Sequence, residues 1–173
     1  TAFPSGIRGV PAEAIEAVSP VLMRRRALRR DSGGAGKFRG GLGQEMVLEV
    51  QSNQPVLHSC MYDRTQHAAR GFLGGNNGAV GEIILDDGTR PHPKKKYLLQ
   101  PGQAVTLKLP GGGGFYPAWE RAVEQVLEDV KQDRVSATAA REMYGVVVDV
   151  ERGEVDEAAS AVLRERLRRE NIK

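Results

Sequence analysis

Apolar and polar residues alternate along the first two thirds of the chain, and near Trp119 the alternation gives way to a three-to-four-residue spacing. Val21 to Arg30 reads as an extended strand with a basic, solvated side carrying Arg24, Arg25, Arg26, Arg29 and Arg30. Gln44 to Val50 is a second strand, apolar on both faces over part of its length. In Pro55 to Tyr62, Val56, His58, Cys60 and Tyr62 share one face, while Leu57, Ser59 and Met61 share the other. The short link Ser52-Asn53-Gln54 predicts that these last two strands form a hairpin. Gly81 to Leu85 is a further strand closed by Asp86-Asp87-Gly88, and two prolines keep Thr89 to Pro93 out of any central strand. Tyr97 to Leu99 and Ala104 to Leu109 complete the set, with a turn at Pro101-Gly102.

Beyond Trp119, Ala122, Val123, Val126, Leu127 and Val130 recur at helical spacing with charges opposite. Ser136 is placed to cap a second helix running through Ala139, Ala140, Met143 and Tyr144, and Gly145 to end it. Asp156 to Lys173 reads as a charged helix, a solvated tail or a subunit contact. Thr1 to Pro11 is broken by prolines and glycines, with a short helical run after Pro11. The expected organisation is a connector over 1–20, a glycine-rich β domain over 21–116 and a helical region over 117–173. The fold class is α+β: an antiparallel β-rich sandwich or barrel-like domain followed by two or three C-terminal helices.

Composition changes this picture at one residue type. Of 21 glycines, six fall in the eleven positions from Gly33 to Gly43. Such density folds the backbone along a defined path, and Phe38 and Leu42 within it can anchor to a core. The stretch is a backbone cradle for an anion, a packing corner beside an active site, or a tight loop between strands. No Gly-Lys-Ser/Thr opens a helix, so it is not a P-loop. A second run, Asp63 to Gly75, holds Arg64 and Arg70, which can bind a carboxylate or phosphate bidentately, and closes in Gly71-Phe72-Leu73-Gly74-Gly75. The third, Pro110 to Pro117, carries four consecutive glycines and reads as a hinge, or as a loop lining a pocket.

A net charge of +3 is too mild to argue for nucleic acid, although the pI near 9.2 keeps a basic nucleic-acid-binding β domain in play as an alternative. Few aromatic pairs are available for base stacking, which weakens that alternative. A structural interaction module is the other. The single cysteine, Cys60, excludes an internal disulfide and reads as a buried structural thiol in a cytoplasmic protein. His58, His67 and His92 lack metal-binding spacing, no Gly-x-Ser-x-Gly elbow is present, and the residues name no nucleophile or general base. No segment has the apolar length to span a membrane. The first residue is threonine, which suggests a processed chain or a fragment of something larger.

Four stretches, in order, resemble the hydantoinase B/oxoprolinase family. They are Asp31-Ser32-Gly33-Gly34-Ala35-Gly36-Lys37-Phe38-Arg39-Gly40-Gly41-Leu42-Gly43, the Arg-containing segment ending Gly71-Phe72-Leu73-Gly74-Gly75, the run Pro110 to Tyr116, and the helix-turn-helix closing in Tyr144-Gly145-Val146. The resemblance implies the C-terminal part of the B-type subunit of an ATP-dependent cyclic-amide hydrolase or related carboxylase. It also implies a hetero-oligomer with an A-type ATP-binding subunit, in which the B-type subunit carries carbonyl chemistry near a metal. ATP and a divalent metal then belong to the full assembly; the family's metal ligands lie upstream, no cofactor is expected on this chain, and the chain alone is expected to be inactive. The partners implied are the upstream part of the B-type subunit and the A-type subunit, without nucleic acid or membrane. Candidate substrate or interface residues are Arg39, Arg64, Arg70, Gly33, Gly34, Gly74 and Gly75, acting by backbone approach and anion stabilisation. The substrate stays open among hydantoins, 5-oxoproline, other lactams and a ketone.

Overall fold

The computed structural model describes residues 9–171, so the first eight residues of the expected connector and the last two of the expected final helix lie outside it. The chain divides into two compact, interleaved units. One runs to Arg26 and includes Met46–Met61 and Ile83–Thr106; the other holds Ala27–Glu45, Tyr62–Glu82 and the residues from Leu107 onward.

In the first unit a short helix, α1 (Ala12–Val18), starts directly after Pro11, whose fixed φ suits a helix start. The strands β1 (Val21–Leu28), β2 (Gln44–Val50), β6 (Ala104–Lys108) and β4 (Glu82–Leu85) form one sheet in the order β1-β2-β6-β4. Strands β3 (Val56–Ser59) and β5 (Lys96–Leu99) pair antiparallel, Val56 opposite Leu99 and Ser59 opposite Lys96. This corrects the expected hairpin between Gln44–Val50 and Pro55–Tyr62. Val50 spends its backbone on the chain leading into β6, donating to Gln103 O at 3.0 Å and accepting from Gly102 N at 3.0 Å. The Ser52-Asn53-Gln54 link therefore joins two different sheets. Val50, Cys60, Ile83, Leu99 and Val105 are the buried apolar residues here, and Arg24, Arg25 and Arg26 point outward, Arg24 against Glu49 at 2.6 Å.

The second unit pairs a helical layer with the glycine runs. Helices α2 (Val123–Lys131) and α3 (Ala137–Tyr144) form as their spacing predicts. Ser136 Oγ accepts the Ala139 N–H, and Gly145 closes α3 at φ +65°, a left-handed conformation that favours glycine. Ala35, Ala118, Val126, Val135, Ala140, Tyr144 and Val146 make the core of this unit. A small hairpin, β7 (Val147–Asp149) with β8 (Glu154–Asp156), then leads into α4 (Glu157–Asn171). The final helix is not a solvated tail: Ser160 is buried, its Oγ accepts from Val147 N at 2.9 Å, and Arg164 donates to Arg121 O at 2.7 Å.

The glycine runs fold into a bundle of segments outside any helix or named strand. Residues 110–116 occupy its centre and hydrogen-bond to the other segments. Gly34 N donates to Gly112 O at 2.8 Å, Gly112 N to Gly41 O at 2.9 Å, Gly114 N to Asn76 O at 2.8 Å and Phe72 N to Gly114 O at 2.9 Å. Side chains have no room at Gly111, Gly113 or Gly114. A Cβ on Gly111 would stand 1.7 Å from Ser32 O, on Gly113 2.1 Å from Arg70 O, and on Gly114 2.2 Å from Ala35 O. Gly111 and Gly114 thus face the same neighbouring segment, three residues apart, while Gly112 faces Gly41 and Gly113 faces Arg70. That rotation is the signature of a three-residue-per-turn helix without internal hydrogen bonds, whose backbone groups must bond sideways. The same period recurs on its neighbours: Gly40 and Gly43 face residues 109–113, and Gly75, Gly78 and Gly81 face residues 108–115.

Alanine at Gly111 or Gly113 should therefore cost about 3 kcal/mol or more, because rigid backbone has to move. Alanine at exposed Gly41, whose added methyl would meet nothing within 4 Å, should stay within about 0.5 kcal/mol of the parent. Urea denaturation midpoints of the three variants check the contrast; equal midpoints would refute the packing argument.

Candidate functional site

The second unit contains a buried ion cluster built from three parts of the chain. Asp129 follows Val126 by one turn on the inward stripe of α2, and both are buried. Arg39, projecting from the glycine bundle, grips it with both ends of its fork: Nε to Oδ2 at 3.1 Å and Nη2 to Oδ1 at 3.2 Å. Arg121 adds a contact to Oδ2 at 2.9 Å, and Arg134 lies 3.6 Å from Oδ1. Three guanidinium groups around one carboxylate leave excess positive charge, part of which backbone carbonyls absorb. Arg39 Nη1 donates to Gly40 O at 2.8 Å and Arg121 Nη1 to Lys37 O at 3.0 Å.

Tyr144 sits beside this cluster, 2% exposed. Burial pushes its phenol up to about 12, with the positive Arg121 and Arg39 pulling weakly the other way. The hydroxyl therefore stays protonated at neutral pH and can donate a hydrogen bond but not act as a base. Tyr144, Asp31 and Asn77 are among the residues around a cavity of about 90 Å³. Asp31 Oδ1 already accepts from Ser136 N at 2.7 Å and Asn77 Oδ1 from Gly71 N at 2.9 Å, so both side chains hold the cavity wall in place.

The sequence-predicted residues divide into two groups. Arg39 is committed to Asp129, with its side chain 14% exposed. Gly33, Gly34 and Gly75 lie inside the bundle, where a Cβ would meet Gly40 O at 2.2 Å, Asn76 O at 2.1 Å and Gly114 O at 2.2 Å respectively. Their signatures are brought together there, with Asn76 N donating to Ala35 O at 2.7 Å. The N–H groups of Gly34 and Gly75 are spent on Gly112 O and Phe72 O, so neither points at an open anion site. Gly74 turns the chain at φ +88° beside Pro117. Arg64 and Arg70 are exposed, and neither side chain has an ion-pair partner among the described residues. Arg64 also has φ +55°, its carbonyl accepting from Gly81 N at 2.9 Å.

Sequence reasoning missed Asp129, Arg121 and Tyr144 as one cluster, and missed an aromatic group formed by Phe38, Phe72, Phe115 and Tyr116. The signal for the first was an aspartate inside the apolar stripe of α2, one turn from Val126. Among the described residues no group of three or more His, Cys, Asp or Glu could hold a metal ion. Cys60 is buried, and burial raises its thiol, which keeps it unreactive.

Replacing Asp129 with Asn should leave Arg39 and Arg121 as uncompensated buried charges and cost about 3–5 kcal/mol, read by urea denaturation. For Tyr144 the folded-state value lies above the unfolded value near 10, so its contribution is complete below pH 10 and is lost as pH rises towards 12. The parent should thus lose stability relative to Tyr144→Phe between pH 10 and about 12, measured as the difference between their denaturation midpoints; parallel curves would contradict this.

Residues 1–118 match the family described as Hydantoinase B/oxoprolinase. The chain is 38% identical over 160 residues to caprolactamase subunit beta of Pseudomonas jessenii, an alignment covering 86% of this chain and 26% of that protein. Its fold superimposes on the crystal structure of the ATP-dependent caprolactamase from the same organism with TM-score 0.77 and 32% identity, over 90% of this chain and 28% of that one. A nucleotide-free acetone carboxylase structure shares the fold at TM-score 0.78 and 22% identity, over 94% of this chain and 27% of that one. The chain thus spans about a quarter of the length of the caprolactamase subunit. On the family match over more than half its length, and on these relatives, the chain belongs to the hydantoinase B/oxoprolinase family.

Proposed function

We propose that this chain is the C-terminal part of the B-type subunit of an ATP-dependent cyclic-amide hydrolase, where it completes the subunit and its interface and is inactive alone. The observation that carries the reading is the similarity to caprolactamase subunit beta, which spans 86% of this chain but only 26% of that protein. The geometry agrees with a supporting role. Arg39 and the inward-facing glycines of the signatures are consumed by backbone packing and by the Asp129 cluster.

A divalent metal is part of this reading for the assembly, but the described residues do not fit one. The described acidic and histidine residues form no ligand group, so no chemical step is assigned to a metal on this chain. ATP is assigned to an A-type partner subunit, and ring opening to the rest of the B-type subunit. Arg64 and Arg70, exposed and unpaired among the described residues, can meet an anionic partner surface.

The test is cyclic-amide-dependent ADP release by the A-type subunit together with the full B-type subunit, with this region present or deleted. The expected outcome is activity only when the region is present, and none from the isolated chain. A soluble, assembled deletion with full activity, or ring opening by the isolated chain, would overturn the reading.

A further inference from the structure

Four large aromatic side chains gather on the glycine bundle, Phe38, Phe72, Phe115 and Tyr116, and Leu73 follows Phe72 in the chain. In that order the five are 57%, 65%, 36%, 38% and 52% exposed. Their arrangement is set by backbone. Phe38 and Phe115 exchange hydrogen bonds at 3.0 and 2.9 Å, Phe72 N donates to Gly114 O at 2.9 Å, and Tyr116 N donates to Phe72 O at 3.1 Å. Phe72 stacks on Phe115 with centroids 5.9 Å apart and planes within 4°, Phe38 lies 6.2 Å from Phe115, and Tyr116 tilts against Phe115 at 4.2 Å. Leu73 and Tyr116 hold φ of +46° and +60°, a conformation that costs a bulky side chain on the order of 1 kcal/mol or more. The fold thus maintains strained residues whose side chains remain partly in solvent. Because the glycine segments behind the rings cannot repack, the platform is rigid before anything docks.

Resting on the reading proposed above, we infer that this aromatic platform is the seat of the remaining part of the same B-type polypeptide, which covers it with an apolar surface. Contiguous exposed apolar groups of this size mark an interaction site, and a predominantly apolar contact suits a permanent intrachain interface better than a transient one. All five residues fall within residues 1–118, the part that matches the family; none comes from the helices beyond. The surface therefore belongs to the family-wide portion of the chain. About three quarters of the related caprolactamase subunit lies outside the similarity, so a polypeptide of that kind holds ample chain to cover the platform in cis. Tethering supplies that segment at high effective concentration. Arg70, exposed and two residues before Phe72 in the chain, suits an acidic edge on the covering segment.

The experiment places single reporter thiols, Phe72→Cys and separately Phe38→Cys, in the full B-type polypeptide. Each is labelled with a maleimide, the rate being compared with that of the same protein in urea; native Cys60 is buried and serves as an internal reference for folding. The expected result is labelling about 100-fold slower than in the unfolded state at both positions, independent of protein concentration and without the A-type subunit. Labelling within a few-fold of the unfolded rate while Cys60 remains protected would overturn the inference. So would protection that appears only when the A-type subunit is added, or only as protein concentration rises, which would assign the platform to that partner or to a second copy. Cyclic-amide-dependent ADP release is measured in parallel on the unsubstituted protein. Loss of that activity with the thiols protected would defeat the functional reading and leave the intrachain interface standing.

Discussion

Backbone packed directly on backbone is the constraint on which the second unit depends. Residues 110–116 run through the middle of the glycine bundle and hydrogen-bond sideways to the surrounding segments. Gly111, Gly113 and Gly114 within it would each drive a Cβ to within 2.2 Å of a carbonyl oxygen, so those positions have no direction in which to carry a side chain. The arrangement differs from a sheet, where alternate residues point out of the plane, and from an α-helix, whose hydrogen bonds are internal. It has no hydrophobic interior of its own. Its stability comes from backbone hydrogen bonds between segments and from the apolar residues at its margins, among them Ala35 in the core of the second unit.

Arg39 extends this constraint to the helical layer. It leaves the bundle between Phe38 and Gly40 and meets Asp129 on α2, while Arg121 joins the same carboxylate to Lys37 O. Buried ion pairs often contribute little net stability but are costly to break, so the cluster specifies one docking geometry for helices and bundle. Asp31 makes the same connection at a second point, accepting from Ser136 N at the start of α3 while its own N–H donates to Arg134 O. The glycine bundle and the helical layer are thus joined at two points, Arg39 to Asp129 and Asp31 to Ser136.

This organisation explains why signatures rich in glycine and arginine suggest an anion cradle but behave as scaffold. Glycine N–H groups bind anions when they converge on open space. Here those of Gly34, Gly75, Gly112 and Gly114 converge on carbonyl oxygens instead. Of the candidate arginines, Arg64 and Arg70 keep exposed side chains, whereas Arg39 is consumed by Asp129.

Much of the fold was legible in the chain. Local rules suffice for the cap at Ser136, the left-handed stop at Gly145, the turns at Gly88 and Gly102 and the apolar stripe of α2, because each depends on residues within a few positions of one another. Strand partners were less legible. Ser52-Asn53-Gln54 has the chemistry of a hairpin, yet pairing is decided by which strands can bury faces together, and β3 found β5 rather than β2. The three-residue period of Gly75, Gly78 and Gly81 was present in the sequence, but it acquires meaning only when a neighbour approaches on that face. Of the candidate residues, their presence in glycine and arginine signatures was local information. Whether Arg39 met solvent or Asp129, ninety positions away, was settled only by tertiary structure, since a guanidinium reads the same in a binding site as in a buried joint until its partner is in place.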